Sequence, residues 1–370
     1  MRRHDETRLL ILDKQEFMKK SIQVLAAGLF ALATSIPAAQ AQDTIRPYEQ
    51  WESTQFVALS GHQPSDYVTI DNNWEIAYRL RTPQTADELR QSGTPCTDSQ
   101  LMLLEVGGIL APRQGGKWQT VIPILDKKQT DALRAFSREV AATIYARTKD
   151  NFNALTQSID RMGYPNNAFS LVFSYLLDGR MWTRLVLFDD VQQHATWSGC
   201  YWVLYEPRTG FACGTNGYGE QDICLTYLDS RIAPDPNAME QLADELRQSG
   251  RVTNESLIAK FFPYGLLDQE GHPRFPIIKQ QADDFHKLTD TLVQYISTEL
   301  KDHCKDLSER FGITQEKEGM VILYHEVMWD LIDLLLRDKL ISLPPVFQDS
   351  KTQKNRLNDV VFFVEGGLMQ

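Results

Sequence analysis

The residues best suited to chemistry in this 370-residue chain crowd into one stretch. Trp197-Ser-Gly-Cys200-Tyr-Trp202 sets a thiol among small and aromatic residues, with His194 six positions upstream. A cysteine nucleophile needs a nearby base, such as His194 or one brought by the fold, to form its thiolate. That is the enzyme reading: a secreted or envelope hydrolase using Cys200. Against it, Cys200 opens what reads as a strand, whereas thiols of low pKa favour helix N-termini. The same stretch carries the preferred, non-catalytic reading. On a strand, Tyr201, Val203 and Tyr205 share one face, and Trp202 and Leu204 share the other. Aromatic side chains dominate protein, peptide and sugar contacts. Trp197, Tyr201, Trp202, Tyr205 and Phe211 are therefore the candidate binding residues, provided one face is open; the alternative is that they cover a core.

Other motifs are weaker. His325-Glu326 stands alone, without the His-Glu-x-x-His spacing of a zinc site, and reads as a packed histidine. His303 and Cys304 are adjacent, which on a helix turns their side chains apart by roughly 100°. The chain holds no Cys-x-x-Cys and no Gly-x-Ser-x-Gly. Gly214-Thr-Asn-Gly-Tyr-Gly219 is glycine-rich, but no Gly-Lys-Ser/Thr follows it. No metal or other cofactor is signalled. Cys213 and Cys224 flank that turn and are the nearest cysteine pair, readable as a disulfide or as two buried small hydrophobes.

Lys19-Lys20, an apolar run from Ile22 to Ala33, Pro37 and Ala39-Gln40-Ala41 follow the basic, apolar, small-residue order of a signal peptide. Cleavage is expected after Ala41, Met18-Lys-Lys reads as the natural start, and a short membrane anchor is the alternative. No cysteine follows the cut, against a lipoprotein. The expected location is periplasmic or extracellular, with no transmembrane segment in the mature chain. The chain has a net charge of -11. Residues 1–41 carry six Lys/Arg and four Asp/Glu, so the mature part is two charges more negative still. Such a chain is repelled by phosphate backbones and anionic lipid surfaces.

Stepping from these residues to the elements that hold them exposes a repeat. Ala86-Asp-Glu-Leu-Arg-Gln-Ser-Gly93 recurs letter for letter as Ala243–Gly250, 157 residues later. The match runs on without a gap to Gly108-Ile-Leu110 and Gly265-Leu-Leu267, then through a turn to Pro123-Ile-Leu125 and Pro276-Ile-Ile278. The second turn is four residues shorter. Each copy then enters a polar helical stretch and an apolar segment carrying Met181-Trp182 or Met328-Trp329. Pro234-Asp-Pro236 opposes helix and sheet and marks the boundary. The expected divisions are 1–41, an extension with signal peptide; 42–233, a first unit; and 234–370, a second.

Within a unit, Thr85 with Glu88 has capping-box spacing. The helix it starts stops at Gly93, and a second begins at Thr97-Asp98, or at Asn254-Glu255 in the other copy. A glycine-containing hairpin leads on to the extended run Trp118–Leu125. Helix, tight turn, helix, glycine exit and hairpin over 86–125 and 243–278 resemble a winged helix-turn-helix unit. DNA binding is what that resemblance usually implies, but Thr97–Val106 has no Lys or Arg, so no nucleic-acid partner is expected. The remainder reads as helix over 127–183 and 280–339, with Leu171–Leu177 open to a buried-strand reading. Cys200–Tyr205 is expected to form a hairpin with Phe211–Cys213, and Asp359–Val364 a late strand that could take the corresponding place in the second unit. The expected fold class is α+β, mainly helical: an internal duplication of a winged-helix-like unit with added helices and hairpins. The expected function is exported, non-catalytic binding of a protein, peptide or glycan.

Overall fold

The computed structural model describes residues 45–58, 62–185, 199–209, 213–228, 234–313, 315–349 and 353–368. The chain enters on strand β1 (Glu52–Ala58) and helix α1 (Asn73–Arg79). A short strand β2 (Gln84–Thr85) runs straight into helix α2 (Ala86–Gln91), which helix α3 (Asp98–Val106) follows. Thr85 and Thr97 each cap their helix through a reciprocal box, with Glu88 and Gln100 reaching back to the cap N–H. Strands β3 (Leu110–Arg113) and β4 (Lys117–Thr120) form the hairpin, and β2 adds to it in the order β2-β4-β3.

Asp126 then caps the long helix α4 (Lys127–Arg161). After Pro165 a helical run from Ala168 passes through a π-helical stretch, Leu171–Arg180, into α5 (Met181–Leu185). Leu171 to Leu177 are all buried, so this segment is apolar because every side of the helix is covered. Strand β5 (Gly199–Tyr205) pairs antiparallel with β1, with Trp202 opposite Gln55. Of the expected hairpin partner Phe211–Cys213, Phe211 and Ala212 lie outside the described residues. The next strand, β6 (Cys213–Tyr218), pairs instead with β7 (Ile223–Leu228).

Helix α6 (Pro236–Ser249) starts on an Asp235 cap with proline in its first turn, and helix α7 (Glu255–Phe261) starts on Asn254. A two-residue strand β8 (Ile277–Ile278) precedes α8 (Asp284–Cys304), capped by Asp283, and α9 (Glu316–Arg337) follows. The described chain closes on β9 (Val361–Val364), giving a sheet ordered β6-β7-β9-β8. β7 lies before residue 233 and pairs with β9 after it, Ile223 opposite Phe363. A cut near 233 therefore separates a strand from its partner, and residues from Ile45 onward fall in one compact unit.

Local features coincide at the 157-residue spacing. Gly93 and Gly250 both have positive φ (92° and 71°), as do Gly108 and Gly265 (69° and 73°). The caps Thr97 and Asn254, and Asp126 and Asp283, are also 157 residues apart. The repeated octapeptide behaves differently at its start. Ala86 opens a helix behind Thr85, whereas Ala243 lies inside α6, because Asp235-Pro236 starts that helix earlier. Beyond the hairpins, the Pro123 carbonyl accepts from Leu204 N–H at 3.0 Å and the Pro276 carbonyl from Phe363 N–H at 2.9 Å. Ile124 bridges Leu204, and Ile277 pairs with Phe363, both in parallel.

Three apolar cores result. A central one joins α4, the 168–185 run, α8 and α9. Helices α1 to α3 and their hairpin enclose a second, and α6, α7 and β7 a third. Strands β5 and β9 stand between cores. Trp202 and Leu204 face the second core while Tyr201, Val203 and Tyr205 face the central one. In the same way Val361 and Phe363 face the third core while Phe362 and Val364 face the centre.

Candidate functional site

The aromatic strand divides its side chains between two faces as its alternation predicts, and both faces are sealed. Tyr201 is 8 %, Trp202 1 % and Tyr205 2 % exposed. Trp202 Nε1 donates to Ser53 Oγ at 2.7 Å, which ties the indole to the neighbouring strand. The open face that a binding surface on Tyr201, Trp202 and Tyr205 requires is therefore not offered: β1 and two cores have taken both sides. Trp197, Phe211 and His194 lie outside the described residues, and Cys200 is described only as backbone within β5. Cys213 and Cys224 are buried, with no disulfide between them. Cys213 stands opposite Leu228 and Cys224 opposite Gly217, four positions along the ladder. That is roughly 13 Å at strand rise, well beyond disulfide reach.

His325 is a packed histidine. Its Nδ1 donates to the Val321 carbonyl at 2.7 Å, and its ring lies 4.0 Å from that of Phe56. Burial drives its pKa down to about 3, so it stays neutral. Cys304 is buried against the Glu316 carbonyl, and desolvation pushes its thiol up to about 11.

Two polar assemblies escaped the sequence reading. The first joins β1, α4, α9 and the chain after β5. Glu326, buried on α9, pairs with Arg208 and, at 3.4 Å, with Arg134 of α4. Arg134 also reaches Glu52 at 3.3 Å, and Ser137 donates to Asp330 at 2.5 Å. Burial raises the Asp330 carboxyl to about 6. The Tyr205 hydroxyl is enclosed beside this cluster without a hydrogen-bond partner. The second assembly lies under the π-helical stretch, where Ser170 and Ser174 both meet Thr226 at 2.6 Å and Thr215 donates to Asp178 and also meets Ser174 at 2.8 Å. Desolvation raises the Asp178 carboxyl. Both assemblies are closed, and apart from the Tyr205 hydroxyl and Arg134 Nε their buried polar groups bond within them.

An open site lies at the far end of the central core. A groove of about 510 Å³ runs between the C-terminal end of the π-helical stretch, the start of α8 and the chain leaving β9. Tyr175 forms part of its wall. This residue is 2 % exposed, with its ring held 5.3 Å from Phe285 and 6.2 Å from Phe362. Its hydroxyl has no hydrogen-bond partner among the described residues. Burial raises its pKa, opposed by Arg180, with Asp290 and Asp283 adding to the rise. Lys279 and Lys287 line the same groove, are exposed and make no ion pair among the described residues. Arg180 pairs with Asp290 at 2.8 Å, and these two residues also line a neighbouring recess of about 220 Å³ that includes Arg184. His286 is engaged by its helix cap, with Nδ1 2.7 Å from Asp283 Oδ1. Donors lining a groove, the Tyr175 hydroxyl among them, suit recognition of a ligand with acceptor atoms.

No motif announces this groove, because Tyr175, Arg180, Lys279 and Lys287 come from segments about a hundred residues apart. The only sequence signal nearby is the repeated Pro-aliphatic pair that ends at Ile278. No family model, curated protein or solved structure matches the chain.

Proposed function

We propose that this chain is an exported, non-catalytic binding protein, built by duplication of a winged-helix-like unit with added helices and hairpins, whose ligand occupies the groove beside Tyr175. Export rests on the order of residues 19–41. The duplication reading is supported by the shared octapeptide, the paired caps and glycines at one spacing, and the two parallel pairings after Pro123 and Pro276. Binding at the groove is supported above all by its lining of donors, in which the Tyr175 hydroxyl and the exposed ammonium groups of Lys279 and Lys287 have no protein partner among the described residues. Nucleic acid is a poor candidate ligand: α3 carries exposed Asp98 and Glu105 and no cation, and its other exposed residues include the apolar Met102 and Val106.

The test is a thermal-shift comparison of the wild type with Ala282→Trp, across amino acids, carboxylic acids, phosphates and neutral sugars. Ala282 is exposed and lines the groove, so the indole fills the space without entering a core. At least one compound is expected to raise the Tm of the wild type alone; saturation at a hundredfold excess over Kd is worth about 2.7 kcal/mol. Compounds that act equally on both proteins, or on neither, would contradict the proposal.

A further inference from the structure

The groove has a counterpart in the first half of the molecule, and comparing the two indicates what it holds. The backbone bonds to Pro123 and Pro276 make Leu204 and Phe363 equivalent. Counting on from them, Tyr205 corresponds to Val364, Glu206 to Glu365 and Arg208 to Gly367. In the first half the Arg208 side chain fills the position: it pairs with Glu326, packs its guanidinium 6.0 Å from the Trp329 ring and helps close the cluster. In the second half Gly367 brings no side chain, and it lines the open groove.

The charges facing the two positions are reversed. At the Arg208 position α9, an element of the second half, presents Glu326 and Asp330, one helical turn apart, to Arg134 and Ser137 of α4. At the Gly367 position the 168–185 run, an element of the first half, presents Arg180 and Arg184, again four residues apart, to Asp290 and Gln294 of α8. Gln294 lies 157 residues after Ser137, so the same part of each long helix is involved. A cation completes the carboxylate-bearing position. The arginine-bearing position, with its cationic filler replaced by glycine, is suited to an anion.

Resting on the reading of the groove as a ligand site, we infer that the groove selects a small anion bearing a carboxylate or phosphate group. The Tyr175 hydroxyl, the ammonium groups of Lys279 and Lys287 and the free edge of Arg180 supply donors. The N-terminus of the 21-residue α8 adds little, because its Asp283 cap and Asp284 in the first turn already place carboxylates there. Against them stand Asp290, already paired with Arg180, and Glu365, the one lining carboxylate without an ion pair among the described residues.

Isothermal titration calorimetry at fixed ionic strength decides the matter, with succinate, inorganic phosphate and the neutral disaccharide lactose as probes. Succinate or phosphate is expected to bind the wild type, and the stronger of the two identifies the acid group. Affinity should fall about tenfold or more in the double variant Lys279→Glu/Lys287→Glu, and about fivefold in Tyr175→Phe with Tm unchanged. Acid binding that ignores all these substitutions would overturn the inference, because the anion would then sit elsewhere. Lactose binding that Ala282→Trp abolishes, with neither acid bound, would overturn the anion assignment and leave the groove as a ligand site. If none of the three probes binds, the anion assignment also fails, and the wider thermal-shift comparison decides separately whether the groove binds anything.

Discussion

Trp202 shows how a residue chosen for chemistry can be spent on structure. Its indole is 1 % exposed, belongs to the second core and is hydrogen-bonded to Ser53. Trp202→Ala should therefore cost about 3–5 kcal/mol by urea denaturation, through lost burial and an unfilled cavity. A near-neutral result would mean that the side chain is not enclosed. His325 gives a second residue-scale test. Its folded pKa is depressed to about 3 by burial. A depressed value means that the unfolded chain takes up the proton first, so the stability contribution is present above about pH 6.5 and is lost as pH falls toward 3. Each pH unit across that window is worth about 1.4 kcal/mol. The stability difference between wild type and His325→Gln should therefore shift by about 2 kcal/mol in favour of the variant between pH 6.5 and 5, measured by urea midpoints at each pH. A difference independent of pH would show that the imidazole is hydrated.

At the scale of elements, short-range chemistry was legible and long-range pairing was not. Thr85, Thr97 and Asn254 start helices where their side chains predict, because a cap needs only the next three residues. The apolar run at Leu171–Leu177, ambiguous by periodicity, is helical and buried on all sides. The strand at Cys200–Tyr205 was recognisable by its alternation, but its pairing with β1 was not, since β1 lies about 150 residues upstream and leaves no local mark. For the same reason the Pro234–Pro236 break looked like a unit boundary although β7 and β9 pair across it. The two second-helix caps provide a check on the proposed equivalence of the halves. Thr97→Ala and Asn254→Ala should each lower stability by about 1 kcal/mol in urea titrations. A loss in one and none in the other would show that the two helices are held by different means.

At the scale of the whole molecule, two outer cores flank one shared helical core, and strands β5 and β9 connect them by giving alternate faces to each side. This arrangement explains why the aromatic strand is closed on both sides. On the proposed equivalence of the halves, Arg208 fills one position and Gly367 stands at its open counterpart. None of this could be read from composition, because a net charge of -11 describes the chain as a whole and not a groove lined by two lysines that make no ion pair among the described residues. The most direct test is fluorine NMR on protein carrying 3-fluorotyrosine at its 13 tyrosines, with Tyr175→Phe used to assign the Tyr175 line. The expected result is a saturable shift of that line on titration with succinate or phosphate, while the enclosed Tyr201 and Tyr205 lines stay in place. A Tyr175 line that stays fixed while calorimetry registers binding would place the ligand elsewhere and contradict the site.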